Sequence, residues 1–341
     1  MLKTLSQGGG RAGYVGRRLA MIPIGVLIVV TATFFLINAI PSDPVGARLG
    51  DLATPEQIAA ERAALGLDQP LLVRFLDLLG GIFTGALGTS YYTGADVSGE
   101  LLGHVTSTLV LVVPGFLLAA GLGIGLGILA ARDNLSRWVR LIVTVLQGLP
   151  VFVLAVAGIL LLVVLVPVLP SPTGQLDANI PAPPVRTGAV MVDAVLAARW
   201  DAMGNAVAHL VLPVLSIGLI ASVPFARITA SAMRSALAAE FSAFGDGNGL
   251  ARRTVVRNAL RTARPGIATV GGIVAAELIG GSMLIEQVFS WNGIGQWGLN
   301  AITQNDLPVV QAFVLFAAVG TMVIYLLADI VAVLLDPRTA S

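Results

Sequence analysis

Long uncharged apolar segments are the feature that most restricts how this chain can fold. A helix needs about 20 mostly apolar residues to cross the hydrocarbon core of a bilayer. Six segments of this kind lie near residues 19–40, 106–131, 141–169, 207–228, 266–288 and 308–335. Because lipid offers no partner for backbone polar groups, segments of this length cross as helices. The sequence therefore predicts an all-α integral membrane protein with six transmembrane helices.

Composition agrees with this class and excludes several kinds of site. Only 11% of the 341 residues are charged, and the net charge of +1 gives no reason to expect nucleic acid as a partner. The chain has no Cys, which excludes disulfides and Cys-ligated metals, and it has only two histidines. Its single lysine, Lys3, lies in no Walker A pattern, so the chain has no P-loop for ATP. We expect no metal and no cofactor in this chain.

Basic residues are concentrated in alternate connections, and this asymmetry predicts the orientation of the chain. Six arginines and two carboxylates lie between the fourth and fifth segments, whereas residues 41–100 contain three arginines and eight carboxylates. The first apolar run is longer than that of a signal peptide, so we expect it to be retained as a helix. The predicted cytoplasmic parts are residues 1–18, 235–264 and 336–341, and the predicted external parts are 41–105 and 170–206.

The first external segment is long enough to contain helices of its own. Thr54, Pro55 and Gln57 form the pattern of a capping box with proline at the first helical position. Gly66 is a plausible end for this helix, and a second, amphipathic helix is predicted from Pro70 to the glycine pair at 80–81. Two interpretations stay open: the helices rest on the membrane or the bundle, or they form a docking surface for an external partner.

Polar residues inside the apolar segments are the candidates for a translocation path. Gln147, Glu277 and Ser282 could line a pore, because ionisable and polar groups at membrane depth face an interior or a cavity. Asp329 lies closer to the end of its segment, and Gln147, Glu277 and Asp329 could instead be hydrogen-bonded structural groups. A nucleophilic pair of Ser282 with His209 is disfavoured, since His209 is expected at the outer membrane edge. We therefore expect no catalytic residues. The glycine-rich run at 121–129 predicts close helix packing.

The connection between the fourth and fifth segments is polar and rich in glycine. Residues 235–244 can be helical, Gly245, Gly247 and Gly249 permit a sharp turn, and residues 250–263 form a second amphipathic pattern. One interpretation is a basic loop that touches anionic lipid. The other is a docking element for a cytoplasmic partner.

This connection resembles the EAA-type coupling loop of ABC importer permeases. Five further stretches are similar to the first permease subunit of dipeptide, oligopeptide and nickel importers: residues 53–81, 85–97, 291–302, 306–312 and 334–338. The resemblance implies the type I ABC importer (MetI-like) permease fold, with a long external segment between helices 1 and 2 and a five-helix core at 106–335. Asp246 and Asn248 stand where the family is often basic, and Arg264 stands where it is often apolar.

The resemblance also implies a function and a set of partners. The chain would form half of a pore for peptides in the bacterial cytoplasmic membrane, with nickel-chelate or heme uptake as alternatives in the same family. Its partners would be a homologous second permease, two ABC ATPase subunits that use ATP and Mg, and an external binding protein. The implied ATPase contacts are Glu240, Phe241, Ala243, Phe244, Gly245, Asp246, Gly249, Leu250, Arg252 and Arg253. A proton-coupled secondary transporter that uses Glu277 and Asp329 is the alternative from another class.

Overall fold

The computed structural model describes residues 11–39, 45, 49, 53–131 and 136–335, and the regular structure in these ranges is helical. Residues 1–10 of the predicted N-terminal tail, the predicted tail 336–341 and the short connection at 132–135 lie outside the described residues. The helices are α1 (Arg11–Ala39), α2 (Pro55–Ala64), α3 (Leu71–Thr84), α4 (Val97–Ala130), α5 (Ser136–Gly148), α6 (Val151–Ile159), α7 (Val190–Leu196), α8 (Trp200–Leu237), α9 (Glu240–Gly247), α10 (Arg252–Val288), α11 (Ile294–Thr303) and α12 (Leu307–Leu335).

Five of these helices are long and apolar enough to cross a membrane, namely α1, α4, α8, α10 and α12. The pair α5 and α6, with the π-helix Leu160–Leu165 that continues α6, makes a sixth span if it is counted as one, although its two halves meet at an angle of 97°. The predicted count of six is compatible with this arrangement. Pro150 predicts a kink inside the third segment, and the structure shows a full break there, because proline has no N–H to donate and disfavours helical backbone at Leu149.

The long helices α4 and α8 form the most extensive contact of the fold. Glycines on α4 permit this closeness: a Cβ added at Gly123 would lie 2.4 Å from the carbonyl oxygen of Ser222, and one at Gly127 would lie 2.5 Å from Cβ of Thr229. The glycine-rich run of α4 therefore packs against α8, as the sequence predicts. Helix α10 lies against α8, and α12 lies against α1 and α10.

The segment between α1 and α4 contains both predicted helices. The capping box of α2 is confirmed, because the Thr54 hydroxyl accepts from the backbone N–H of Gln57 while the Gln57 side chain accepts from the N–H of Thr54. Helix α3 continues past the predicted end at the glycine pair 80–81 and ends at Thr84, where Gly85 adopts left-handed backbone with φ of 76°. Phe75 of α3 packs on the ring of Phe34 in α1, with ring centroids 5.3 Å apart. The second external helix thus rests on the bundle.

Candidate functional site

The short helix α9 is held to the rest of the chain by one face. The hydroxyl of Ser242 is buried and donates to the carbonyl of Ala236 at the end of α8, at 2.8 Å. Gly245 is also buried, and a Cβ added there would lie 3.3 Å from Cδ1 of Leu250. Beneath α9, Met233 and Ala236 of α8 pack on Ala259 of α10. These contacts connect α9 to both long helices.

The opposite face of α9 exposes large apolar side chains. Phe241 is 46% exposed, Phe244 is 73% exposed, and Leu250 just beyond the helix is 48% exposed. We call this region the α9 surface, and its exposed members are Glu240, Phe241, Ala243, Phe244, Leu250, Arg252 and Arg253. An apolar patch with a charged rim is typical of a protein interaction site. Of the predicted contact residues, Gly245 faces inward, and the side chain of Asp246 lies outside what the structure describes.

The turn after α9 depends on one glycine. Gly249 has φ of 73°, a conformation that side chains with a Cβ rarely adopt. The side-chain amide of Asn248 donates to the carbonyl of Phe244 at 2.7 Å, and the backbone N–H of Leu250 donates to the carbonyl of Gly245 at 3.0 Å. The prediction that three glycines form the turn is therefore wrong for Gly245 and Gly247, which are helical.

The boundaries predicted for the two helices of this connection also need correction. Helix α8 continues to Leu237, so the first short helix begins at Glu240 and not near residue 235. The second pattern, residues 250–263, is the beginning of the single long helix α10. Val255, Ala259 and Ala263 are spaced by four residues and are all buried. The buried side of α10 therefore begins in this amphipathic stretch and continues into the span that follows. Its amphipathic character is confirmed by five exposed arginines: Arg252, Arg253, Arg257, Arg261 and Arg264.

The three predicted pore residues lie in different environments. Gln147 lines a cleft of about 830 Å³ between α5 and α8. Glu277 is exposed midway along the apolar part of α10. Ser282 is only 1% exposed, and its hydroxyl donates to Glu286 at 3.0 Å, so it faces the interior of this chain instead of a pore. Asp329 is half-buried on α12.

The disfavoured Ser–His pair has separate partners. Whereas Ser282 bonds Glu286, Nε2 of His209 lies 3.2 Å from Oδ1 of Asp177 in the loop before α7. Asp177 also accepts a hydrogen bond from the side-chain amide of Asn205. This hydrogen bond is the larger and that of His209 the smaller of two contacts that hold the pKa of Asp177 below its ordinary value. His209 therefore ties the external loop to α8. Among the described residues, no group of three or more His, Cys, Asp or Glu could hold a metal ion.

Glu286 is a buried carboxylate that the sequence reasoning missed. It is fully buried, and its Oε1 accepts from the hydroxyl groups of Thr108 at 2.8 Å and Ser282 at 3.0 Å. Its Oε2 accepts from the backbone N–H of Gln296 at 3.0 Å. The network therefore joins α4, α10 and α11. Gly293 lies so close that an added Cβ would be 2.6 Å from the carboxylate, and this glycine beside a lone acidic residue was the available signal.

Asp306 forms a second buried junction, at the start of α12. Its carboxylate accepts from the hydroxyl of Ser90 and from the backbone N–H of Tyr91, the latter at 3.0 Å. Two of the stretches that carry the resemblance, residues 85–97 and 306–312, therefore touch each other. Burial raises the pKa of the neighbouring Tyr91 phenol.

The helices and the α9 surface together define a polytopic membrane component with an interaction site on one connection between spans. Residues 123–341 match the family described as binding-protein-dependent transport system inner membrane component, and residues 13–111 match the N-terminal part of such components. The chain belongs to this family of binding-protein-dependent transport permeases. The predicted class, an all-α multi-pass membrane protein with the MetI-like permease fold, is thereby confirmed.

Similar proteins extend over nearly the whole chain. A di/tripeptide transport system permease protein of Pseudomonas aeruginosa is 34% identical, over 95% of this chain and 98% of its own length. The dipeptide transport system permease protein of Escherichia coli K12 is 32% identical, with the same two coverages. A probable D,D-dipeptide transport system permease protein of the same organism is 33% identical, over 94% of each chain.

Proposed function

We propose that this chain is the permease subunit of an ATP-driven importer and forms half of its translocation pore. The observation that carries this proposal is the α9 surface, where Phe241 and Phe244 are exposed on a chain without a P-loop. A pore that lacks its own ATP site needs a surface on which a separate ATPase can act. ATP and Mg would then act in the partner subunits, and this chain would bind no cofactor.

The proposed substrate is a dipeptide or a longer peptide. The similar proteins named above are peptide permeases, and they align with 94–95% of the chain. Nickel-chelate and heme uptake are alternatives from the sequence alone, and those relatives favour peptides over them. The proposed assembly contains a homologous second permease, two ABC ATPase subunits and an external binding protein that delivers the peptide.

The proposed orientation places both termini and the α9 surface in the cytoplasm. The excess of arginine around α9 supports this side, because cytoplasmic connections of membrane proteins are rich in basic residues. The long external segment with α2 and α3 would then face the binding protein. The localisation that follows is the bacterial cytoplasmic membrane.

The contacts of α9 support a mechanism of coupling. Closure of the ATPase pair would displace α9, and α9 is joined to α8 through Ser242 and to α10 through Gly245, where an added Cβ would lie 3.6 Å from Cγ2 of Val255. A displacement of α9 would therefore tilt both long helices together, which is the rigid-body type of switching. Glu277 lies exposed on α10 at membrane depth, where a carboxylate facing lipid is costly. It would face the pore or the second permease.

The test replaces Phe244 by Ala and measures ATPase co-purification and peptide-stimulated ATP hydrolysis of the assembled transporter. Phe244 is exposed in this chain, so we expect normal membrane insertion. We also expect an affinity for the ATPase that is about 10- to 100-fold lower, as for an interface hot spot. Phe83→Ala is the matched control, since Phe83 is 90% exposed on α3 of the external segment. Equal ATPase binding by both variants, or pH-driven uptake by the purified single chain without an ATPase, would contradict the proposal.

A further inference from the structure

Two polar stripes face each other across the cleft between α5 and α8. Each stripe has members at spacings of four and then three residues, which places them on one side of a helix. The members are Arg140, Thr144 and Gln147 on α5, and Arg227, Ser231 and Arg234 on α8. All six side chains are exposed in this chain. The cleft they line has a volume of about 830 Å³, within the range of small-molecule sites.

The other two sides of α5 are apolar, so the polar stripe is a separate face. Val139 and Val143 are buried against Val223 and Ala226 of α8. Leu141 and Val145 are exposed on another side of α5 and suit contact with acyl chains. Arginine, threonine and glutamine at this depth face water or protein in preference to lipid. The cleft is therefore the polar, hydrated side of the α5–α8 pair.

The charge of the cleft is of one sign. Three of its lining residues are arginines and none is Asp or Glu. Within the ranges that the structure describes, no ion pair is formed by Arg140, Arg227 or Arg234. Arg227 precedes the end of α8 at Leu237 by ten residues, or about 15 Å along the helix axis. The positive charge therefore extends well into the cleft and is not confined to its rim.

We propose that this cleft is an anion site that holds the α-carboxylate of a peptide as it leaves the pore on the α9 side. A guanidinium group binds a carboxylate through two parallel hydrogen bonds. Arg227 and Arg234 both lie on the face of α8 that lines the cleft, so either can supply such a group. Thr144, Ser231 and Gln147 supply hydroxyl and amide groups for the peptide backbone. The inference rests on the proposed function, because the ligand is the peptide in transit.

The test measures peptide binding to the purified transporter of two permeases and two ATPases, without binding protein and without nucleotide. Saturation-transfer NMR titrations compare alanyl-alanine with alanyl-alanine amide, which differ only in the carboxylate. We expect the free acid to bind about tenfold more tightly than the amide, the difference made by a hydrogen bond to a charged group. Arg227→Gln and, separately, Arg234→Gln should each weaken binding of the acid and leave that of the amide unchanged.

Arg137→Gln is the matched control, because Arg137 lies on α5 over the ring of Trp138 and does not line the cleft. This variant should keep the preference for the acid. Equal binding of acid and amide by the wild-type transporter, or no binding of either, would overturn the inference. So would a loss of co-purified phosphatidylglycerol in Arg227→Gln without any acid preference, which would assign the cleft to a lipid headgroup. ATP-driven uptake with the binding protein present separates failure of this inference from failure of the proposed function. If uptake occurs, only the inference fails, and if none occurs, the proposed function fails.

Discussion

Two glutamates of α10 show how position decides the role of one residue type. Glu277 is exposed at membrane depth, whereas Glu286, about two and a half turns further along, is fully buried and accepts three hydrogen bonds. A buried carboxylate is tolerated only when its oxygens are well satisfied. Glu286 therefore holds α4, α10 and α11 together, and Glu277 is free to serve a path or a partner.

Replacing Glu286 by Gln should destabilise the chain. The amide nitrogen of Gln is a donor, and it would face the donor groups of Thr108 and Ser282 or of Gln296. We expect a loss of about 2–3 kcal/mol in the free energy of unfolding. The unfolding temperature in detergent measures it. Glu277→Gln, an exposed change in the same helix, should stay within about 0.5 kcal/mol of wild type. A similar loss in both variants would mean that the hydrogen-bond network does not stabilise the chain.

At the residue scale, sequence reasoning finds isolated polar residues but not their surroundings. It identified Gln147 and Glu277 as pore candidates because each interrupts an apolar segment. It missed Glu286, which lies at the end of its segment, where a carboxylate is unremarkable without knowledge of Thr108. It also could not show that Ser282 points at this buried carboxylate. Burial depends on the neighbouring helices, and periodicity within one helix does not reveal them.

At the scale of elements, the α4–α8 contact depends on which glycines face α8. Gly123 and Gly127 are buried at this contact, whereas Gly121 and Gly125 have no atom within 4 Å of an added Cβ. Gly123→Leu should force the helices apart and cost about 1–3 kcal/mol, as overpacking does. Thermal unfolding of the purified chain in detergent checks this. Gly125→Leu adds the same side chain on the exposed side and should be near neutral. If Gly125→Leu destabilised the chain as much as Gly123→Leu, the lost stability would come from replacing any glycine of this helix and not from the contact with α8.

The turn between α9 and α10 depends on the backbone of a single residue. Gly249 has φ of 73°, and a β-branched side chain there should cost about 1–2 kcal/mol. Gly249→Val should therefore shift α9 relative to α10 and lower ATPase co-purification, while the chain still inserts in the membrane. Gly247→Ala is the control, because Gly247 is helical with open space around it. Intact ATPase binding in Gly249→Val would show that docking of the ATPase does not depend on the backbone geometry of this turn.

The helices themselves were largely predictable, and their junctions were not. Apolar length located the spans, and the capping pattern at Thr54 located the start of α2. A kink at Pro150 was predicted but a bend of 97° was not, because proline inside a membrane helix is compatible with a mild kink as well as with a break. The continuity of α10 from Arg252 was missed for the opposite reason: a change from polar to apolar composition looks like a boundary, although the backbone continues through it.

At the scale of the whole molecule, the side that we propose to be external is assembled from parts that are distant in the sequence. Asp306 binds Ser90 and Tyr91, Asp177 binds Asn205 and His209, and the ring of Phe75 packs on α1. No local pattern contains such pairs, so the sequence alone could not predict them. Orientation is different, because it follows from the distribution of charge over all the connections.

The orientation can be tested with single cysteines, since the natural chain has none. Thr93 is exposed in the external segment between α3 and α4, and Ser235 is exposed near the end of α8 beside α9. The proposed orientation, with the basic connections in the cytoplasm, predicts that a membrane-impermeant maleimide labels Thr93→Cys in right-side-out vesicles and Ser235→Cys only in inverted vesicles. The cysteine-free chain is the control and should stay unlabelled. The opposite pattern would place the α9 surface outside the cell, beyond the reach of any cytoplasmic ATPase, and the proposed coupling would fail with it.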